Sequence, residues 1–179
     1  MHTFGKIAGG GLPIGIFGGR REIMEKVLTP ATGTETRGEI FQSGTFSGNS
    51  LSMAAGLRVL EELEKGHVLP FVNGQAVKLR EGWRKACDEV GLAAQIVGVA
   101  SLASIFFTER PIRSRRDVLE SDKTKSLIFS LGLLANGVYL LPHHVALTST
   151  EHSDTDIEMV LEISSKVLAA MKWAHARGA

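Results

Sequence analysis

The stretch TFGKIAGGGLPIG, residues 3–15, places a single lysine, Lys6, in a segment in which five of thirteen residues are glycine. Glycine allows backbone conformations and close approaches that other residues cannot make. The glycine spacing fits neither a P-loop, because no Gly-Lys-Ser/Thr follows, nor a G-x-G-x-x-G dinucleotide-binding motif. By itself the stretch leaves two interpretations open: a lysine in an exposed turn, or a glycine-rich loop that binds a small anionic ligand.

Two further segments follow Lys6 along the chain, GGRREIM at residues 18–24 and QSGTFSGN at residues 42–49. The second ends in Asn49, a favoured N-cap residue, and an apolar helical pattern begins directly after it. Free backbone N–H groups before a helix N-terminus suit phosphate binding, and they equally suit an ordinary capping turn. From the residues alone, both interpretations of this turn stay open.

In this order and spacing, residues 3–15, 18–24 and 42–49 resemble the lysine and cofactor segments of the class III pyridoxal-phosphate aminotransferases. They are especially similar to those of the glutamate-1-semialdehyde aminomutase branch of that family. The resemblance is strong to about Leu63 and looser beyond it, where residues 151–157 also follow the family. It covers essentially the whole chain.

The resemblance implies an α/β fold, the C-terminal part of a fold-type I pyridoxal-phosphate-dependent transferase. Residues 1–66 would be the end of the cofactor-binding large domain, with the lysine segment. Residues 67–94 would form a long linking helix, and residues 95–179 would form the small C-terminal α/β domain. The candidate site residues all fall in the first of these three parts.

The resemblance also implies a cofactor, pyridoxal 5′-phosphate, and the residues that bind it. Lys6 would be both the catalytic residue and a cofactor-binding residue, because its amine can condense with the cofactor aldehyde and can move a proton between substrate and cofactor carbons. The cofactor ring would act as the electron sink. Gly44 and Thr45 would bind the cofactor phosphate of the neighbouring subunit in a homodimer, through the threonine hydroxyl and backbone N–H groups.

By resemblance, the activity is pyridoxal-phosphate-dependent amino-group transfer on a small amino acid, or on an amino-aldehyde or keto-acid substrate. One alternative is glutamate-1-semialdehyde 2,1-aminomutase activity itself, which is an isomerisation, and another is a non-catalytic α/β fragment. The aminomutase branch usually has Pro-Ser and then Glu where this chain has Pro142-His143-His144-Val145-Ala146. This departure favours an aminotransferase.

The chain begins almost at Lys6, whereas the family places most of its cofactor site upstream. Those upstream groups include the carboxylate that pairs with the pyridine nitrogen and the aromatic ring that stacks on the cofactor. We therefore expect a truncated chain that is weakly active or inactive alone. The part after Gln95 has regular apolar faces and should fold, whereas unpaired strand edges near Lys6 should promote association.

The charge balance bears on the partners. Lys and Arg number 20 against 19 Asp and Glu, a net charge of +1, so there is no electrostatic attraction for nucleic acid or an anionic membrane. No apolar run reaches about 18 residues, the length of a membrane helix. The single cysteine, Cys87, cannot form an internal disulfide, and the N-terminus lacks a signal-peptide pattern. We expect a cytoplasmic protein with no nucleic-acid or membrane partner.

The remaining candidate groups fit structural roles better than catalytic ones. His143, His144 and His152 lack the i, i+4 spacing of a helical metal site, so we predict a loop there and no metal site. Cys87 lies among apolar helix positions and is predicted to be a buried thiol. Residues 113–116, which read RSRR, are predicted to form an exposed loop.

Apolar spacing and capping residues predict four long helices. They run from Asn49 to about Gly66, from Val72 to Val90, from Lys123 to Asn136, and onward from a capping-box pattern at residues 153–156. The other predicted elements are a short helix from Arg20 that includes Val27 and Leu28, an exposed loop at residues 29–38, a buried strand at 12–17, a strand or hairpin at 95–108 and a strand at 138–141.

Overall fold

The computed structural model describes residues 1–28, 40–42 and 44–176. The predicted loop at residues 29–38 lies outside these described residues. The chain forms two compact units, Met1–Gly66 and His67–Ala179, and both contain helices and strands, which confirms the predicted α/β class. Within the described residues, no helix has the length and apolar character that a membrane span requires.

The first unit opens with an antiparallel hairpin. Strands β1 (His2–Gly5) and β2 (Gly15–Gly18) pair over their full length, and a one-turn 3-10 helix (Lys6–Gly9) lies in the connection between them. The prediction of a buried strand at residues 12–17 is wrong in two ways. The strand covers only Gly15–Gly18, and it is not buried, since Phe17 is 38% exposed. A two-stranded hairpin has no second layer of its own, so alternate side chains stay exposed.

A second, shorter strand pair follows. Helix α1 (Arg21–Met24) is a single turn, after which strand β3 (Val27–Leu28) pairs in parallel with strand β4 (Ile40–Phe41). The amide of Ile40 donates a hydrogen bond of 2.7 Å to the carbonyl of Lys26. The prediction that the helix continues through Val27 and Leu28 is therefore wrong, because the backbone there pairs with a strand and β-branched Val27 suits that conformation.

Helix α2 (Ser50–Glu64) confirms the predicted helix and its N-terminal cap. The side-chain oxygen of Asn49 accepts a hydrogen bond of 3.1 Å from the amide of Ser52. The helix ends before Gly66, whose φ of 79° lies in the left-handed region that glycine commonly adopts at helix C-termini. Sequence-level capping rules therefore located both ends of this helix.

Four helices belong to the second unit: α3 (Val68–Val90), α4 (Arg115–Leu119), α5 (Lys123–Ala135) and α6 (Asp154–Ala176). The three long helices confirm the predicted ones. Helix α3 ends at Gly91, which is left-handed with φ 64°. Helix α6 begins with a capping box in which Ser153 and Asp156 each accept a hydrogen bond from the other's backbone amide.

The sheet of the second unit has three antiparallel strands in the order β5 (Gln95–Val97), β6 (Leu102–Phe106) and β7 (Ala146–Leu147). Strands β5 and β6 confirm the hairpin predicted within residues 95–108. The third strand was not predicted. It is only two residues long, too short for its alternation to be visible in the sequence.

The predicted strand at residues 138–141 is wrong. The amide of Val138 donates a hydrogen bond of 2.9 Å to the carbonyl of Leu133. The amide of Gly137 donates one of 3.0 Å to the carbonyl of Leu134. These two bonds are the Schellman pattern that closes a helix C-terminus. Val138 is therefore bonded to helix α5, although its side chain, like that of Leu140, packs against the core as the apolar pattern suggested.

Residues 113–116 are also predicted wrongly as a loop. Ser114 and Asp117 form a reciprocal capping box, and helix α4 begins at Arg115. The carboxylate of Asp117 accepts hydrogen bonds from the amides of Arg113 and Ser114, which lowers the pKa of Asp117 from its ordinary value. The capping signal was present in the sequence, but the single helical turn that it starts is too short for apolar periodicity to reveal.

The core of the second unit is centred on Trp83 of α3, which is 1% exposed. Its ring meets the Phe129 ring edge-on with centroids 6.0 Å apart, and Phe129 meets Phe107 in the same way at 5.8 Å. The indole N–H of Trp83 donates a hydrogen bond of 3.0 Å to the hydroxyl of Ser164 on α6, so this buried donor has a partner. Helix α3 is thus joined to α5, to α6 and, through Phe107, to the segment that follows β6.

We predict opposite effects from the same substitution at two helical glycines. A Cβ on Gly132 of α5 would lie 2.6 Å from Cγ1 of Val167 on α6, and a β-branched side chain cannot turn away within a helix. Gly132→Ala should lower the free energy of unfolding by about 1–3 kcal/mol through overpacking. A Cβ on Gly74 of α3 meets nothing within 4 Å, so Gly74→Ala should raise that energy by about 0.5–1 kcal/mol. Urea denaturation of both variants measures the two changes in the free energy of unfolding. Equal changes would contradict the close packing of Gly132 against Val167.

Candidate active site

Lys6 lies at the point where strand β1 ends. It is the first residue of the 3-10 turn, and its side chain is exposed. Its φ of 51° places it in the left-handed region, which few non-glycine residues adopt. The turn closes at Gly10, also left-handed, whose amide donates 3.0 Å to the carbonyl of Ile7. The sharp turn directs the chain away from β1 and leaves the lysine at the end of the strand.

The second predicted segment forms a hydrogen-bonded turn before helix α2. The amide of Ser47 donates 2.9 Å to the carbonyl of Gly44, and the amide of Asn49 donates 3.2 Å to the carbonyl of Phe46. Thr45 is exposed at the start of this turn. Among the described residues, its hydroxyl has no hydrogen-bond partner.

A cavity of about 670 Å³ brings this turn together with the first strand. Its lining includes Gly44 and Thr45 from the turn and Thr3 and Phe4 from β1. Lys6 does not line this cavity, although it follows β1 directly. The structure therefore places two of the three predicted site residues in one cavity and the lysine outside it. The volume lies within the range of small-ligand pockets.

Two polar side chains in this region were quoted in the sequence motif but were not singled out as site residues. The amide nitrogen of Gln42 donates 3.3 Å to the hydroxyl of Ser47, and both residues line the cavity. A Cβ at Gly44 would lie 3.1 Å from that hydroxyl, so the absence of a side chain makes room for it. No spacing rule identifies such residues, because only the folded turn brings them together.

The donor set of these residues fits pyridoxal phosphate. The cofactor requires a primary amine for its aldehyde and hydrogen-bond donors for its phosphate. Lys6 offers an exposed amine that forms no ion pair with any described residue. Thr45 offers a free hydroxyl beside a backbone turn.

Histidine and cysteine side chains elsewhere in the described residues have structural surroundings. Among the described residues, no three His, Cys, Asp or Glu side chains are grouped closely enough to hold a metal ion. His152 lies at the start of α6, where its Nδ1 accepts 2.9 Å from the amide of Ser149. Cys87 is buried, as predicted, and this burial, with a smaller contribution from Asp88, raises its pKa from 9.0 to about 11. A thiol with this pKa is a poor nucleophile.

Comparison with known families decides the identity of the chain. The family model described as aminotransferase class-III matches residues 1–167, most of the chain. The chain belongs to the class-III aminotransferases. This family is pyridoxal-phosphate-dependent, which confirms the predicted cofactor class. The match also confirms the resemblance that the lysine segment indicated.

Curated members of the family include glutamate-1-semialdehyde 2,1-aminomutases. The one from Methanosarcina acetivorans is 42% identical over 164 residues, and the alignment covers 90% of this chain and 37% of the relative. The one from Archaeoglobus fulgidus is 38% identical over 170 residues, covering 94% of this chain and 39% of the relative. The chain therefore spans less than two-fifths of the length of these class-III relatives.

Solved class-III structures share the fold. An omega-transaminase from Sphaerobacter thermophilus superposes with a TM-score of 0.79 at 27% identity, over 93% of this chain and 37% of the other. A beta-phenylalanine aminotransferase from Variovorax paradoxus superposes with a TM-score of 0.80 at 28% identity, over 98% and 38%. These structures confirm that the chain has the fold of part of a fold-type I enzyme.

We predict that Cys87 is unreactive in the folded protein. A pKa of about 11 is two units above the ordinary 9.0, so at pH 8 the thiolate fraction is about a hundredfold lower than for a free cysteine. Alkylation by iodoacetamide at pH 8 should therefore be slower than for unfolded protein by about a hundredfold or more. Mass spectrometry with and without urea measures both rates. Equal rates would show that Cys87 is exposed.

Proposed function

We propose that this chain supplies the catalytic lysine of a pyridoxal-phosphate-dependent enzyme that transfers amino groups, with Lys6 as that lysine. The observation that carries the proposal is the exposed amine of Lys6 at the end of β1, on a strained turn within the class-III lysine segment. Amines held in this way form the covalent link to the cofactor aldehyde. The cofactor, when bound, supplies an electron sink for the substrate carbon.

Lys6 has two roles in this proposal. Its amine would hold the cofactor through the cofactor aldehyde. When free, the same amine would act as a base and an acid and would move a proton between the substrate carbon and the cofactor carbon. The exposed position of the side chain supports this second role, because the amine must be able to reach both the substrate carbon and the cofactor carbon.

Gly44 and Thr45 bind the cofactor phosphate in this proposal. The hydroxyl of Thr45 donates one hydrogen bond and the backbone of the turn donates others, next to the N-terminus of α2, which favours anions. Because Lys6 does not line the cavity at Thr45, we assign these donors to the cofactor of the neighbouring subunit. The assembly is then a homodimer, in which each subunit completes the other's site.

The three parts of the chain have corresponding roles. Residues 1–66 supply the end of the cofactor-binding domain, residues 67–94 the linking helix, and residues 95–179 the small C-terminal domain. We place the protein in the cytoplasm, since its one cysteine is a buried free thiol, which suits a reducing compartment. The substrate is a small amino acid with a keto-acid partner, or an amino aldehyde.

A second candidate function is 2,1-aminomutase activity on glutamate 1-semialdehyde. The observation that favours it is the 42% and 38% identity to the aminomutases of Methanosarcina acetivorans and Archaeoglobus fulgidus. The segment Pro142-His143-His144, where that branch has Pro-Ser and then Glu, favours the aminotransferase. The two activities differ in a simple way, because only the aminotransferase releases a keto acid from the amino donor.

The experiment uses the longest natural polypeptide that contains residues 1–179, loaded with pyridoxal phosphate. One assay supplies an amino donor and a keto-acid acceptor and follows the new keto acid. The other supplies glutamate 1-semialdehyde alone and follows movement of its amino group. Turnover in the first assay alone supports the aminotransferase, and turnover in the second alone supports the aminomutase. Absence of turnover in both assays would support the alternative that the chain is a non-catalytic fragment.

We predict that Lys6→Ala abolishes covalent attachment of the cofactor. After borohydride reduction and digestion, the phosphopyridoxyl label should lie on the peptide that carries Lys6 in the unchanged protein and should be missing in the variant. Turnover should fall by roughly 10²–10⁴-fold or more, because the acid–base group is lost. Lys65→Ala is the matched control, since that exposed lysine only pairs with Glu62. A label on any other lysine would refute the assignment.

We predict that Thr45→Val weakens cofactor binding without unfolding the protein. Loss of one hydrogen bond to a charged group costs about 1.5–3 kcal/mol, which corresponds to about a ten-fold to over a hundred-fold rise in the Kd of pyridoxal phosphate. Thr45→Ser keeps the hydroxyl and should bind almost normally. Equilibrium dialysis gives the three Kd values, and circular dichroism verifies the fold. If valine and serine variants bind alike, Thr45 has no phosphate contact.

A further inference from the structure

The backbone of Lys6 is strained, and something in the structure must hold it. Three non-glycine residues among those described have positive φ: Lys6, Ala100 and His143. A residue in this conformation persists only where its surroundings over-determine it. The side chain of Lys6 is exposed and cannot provide the constraint, so the constraint must act on the backbone of the turn.

Helix α2 contacts that backbone directly. A Cβ on Gly56 would lie 2.6 Å from the carbonyl oxygen of Ala8, two residues after Lys6. A Cβ on Gly10 would lie 3.0 Å from the carbonyl oxygen of Ala55, the neighbour of Gly56. Both contacts are to main-chain atoms, so no rotation of a side chain could relieve the clash. The turn that begins at Lys6 therefore packs against helix α2 at Ala55 and Gly56, at a distance that only glycine permits.

We propose that Gly56 is a positioning residue for Lys6. It acts through the turn, whose carbonyl at Ala8 lies where a side chain of residue 56 would be. The inference depends on the proposed role of Lys6, since the position of the amine matters only if the amine reacts. It adds a requirement that the lysine segment alone does not contain, a glycine fifty residues further along the chain.

The size of the displacement follows from ordinary contact distances. Carbon and carbonyl oxygen atoms in close contact are about 3.3 Å apart, so an alanine at position 56 must move the Ala8 carbonyl by roughly 0.7 Å. The adjacent contact, 3.4 Å to Cδ1 of Ile14, is ordinary and needs no adjustment. A displacement near 1 Å in a catalytic group can reduce a rate by about 10²-fold. The turn therefore tolerates little movement.

The first test needs no cofactor. Trypsin cleaves after Lys6 only when the turn loosens, and cleavage then follows the population of the loosened state. Gly56→Ala should accelerate cleavage after Lys6 by about tenfold, measured by mass spectrometry on cofactor-free protein. The matched control is Ala54→Gly, which weakens the same helix at an exposed position that does not face the turn. Cleavage in the control should stay within about twofold of the unchanged protein.

The second test measures the lysine itself. With pyridoxal phosphate added, the rate at which the borohydride-fixed label accumulates on Lys6 should fall by roughly 10–100-fold in Gly56→Ala. In Ala54→Gly it should not change. If Gly56→Ala does not fold by circular dichroism, Gly10→Ala replaces it, with Gly11→Ala as its matched control. Both glycines are left-handed, but only a Cβ on Gly10 would press against helix α2. Either variant should show both effects.

The outcomes separate this inference from the proposed function. If Lys6 of the unchanged protein takes the label while Gly56→Ala matches Ala54→Gly in cleavage and in labelling, the positioning role is overturned and the catalytic lysine stands. If Lys6 of the unchanged protein takes no label, the proposed function fails and the positioning role fails with it. Faster cleavage together with slower labelling, seen only in the Gly56 or Gly10 variant, supports both.

Discussion

The structure depends on places where the chain approaches itself too closely for a Cβ atom. In the first unit, the carbonyl of Ala8 lies against Gly56 of helix α2. In the second unit, Val167 of helix α6 lies against Gly132 of helix α5. Interiors packed at crystal density tolerate few voids and few overlaps, so each contact fixes the separation of two elements. The contact at Gly56 sets the distance between helix α2 and the turn that begins at Lys6. The contact at Gly132 sets the distance between helices α5 and α6.

The chemistry of the site follows from the way that helix α2 is used. Its early turns support the segment that carries Lys6, and its N-cap, Asn49, ends the turn that carries Gly44 and Thr45. Lys6 and the proposed phosphate-binding residues, Gly44 and Thr45, thus lie beside one helix, although Lys6 does not line the cavity at Thr45. Catalytic groups require this kind of rigid support, because small errors in position cost large factors in rate.

Elements with a local signal were predicted well. Helices α2, α3, α5 and α6 have apolar periods that operate within a few residues, and local signals marked the ends of α2 and α5, the end of α3 and the start of α6. The start of α3 was missed, because no side chain caps it and the helix begins at Val68 instead of the predicted Val72. One error was local, since the amide of Val138 bonds to the carbonyl of Leu133 at the end of the preceding helix. Two others depended on a partner distant in sequence, because Val27 joined a strand pair with β4 and strand β7 pairs with β6. Edge pairing of so few residues leaves no pattern of its own.

The sequence by itself indicated the family, the cofactor class and the lysine to test, because the segment that carries Lys6 resembles the lysine segment of the class III aminotransferases. It also determined the long helices, since caps and periodicity are local. The tertiary structure alone decided where those residues lie. It placed Thr45 beside β1 in a cavity and pressed the Lys6 turn against Gly56, fifty residues away. Such contacts arise only when packing brings distant backbone together, so no spacing rule contains them.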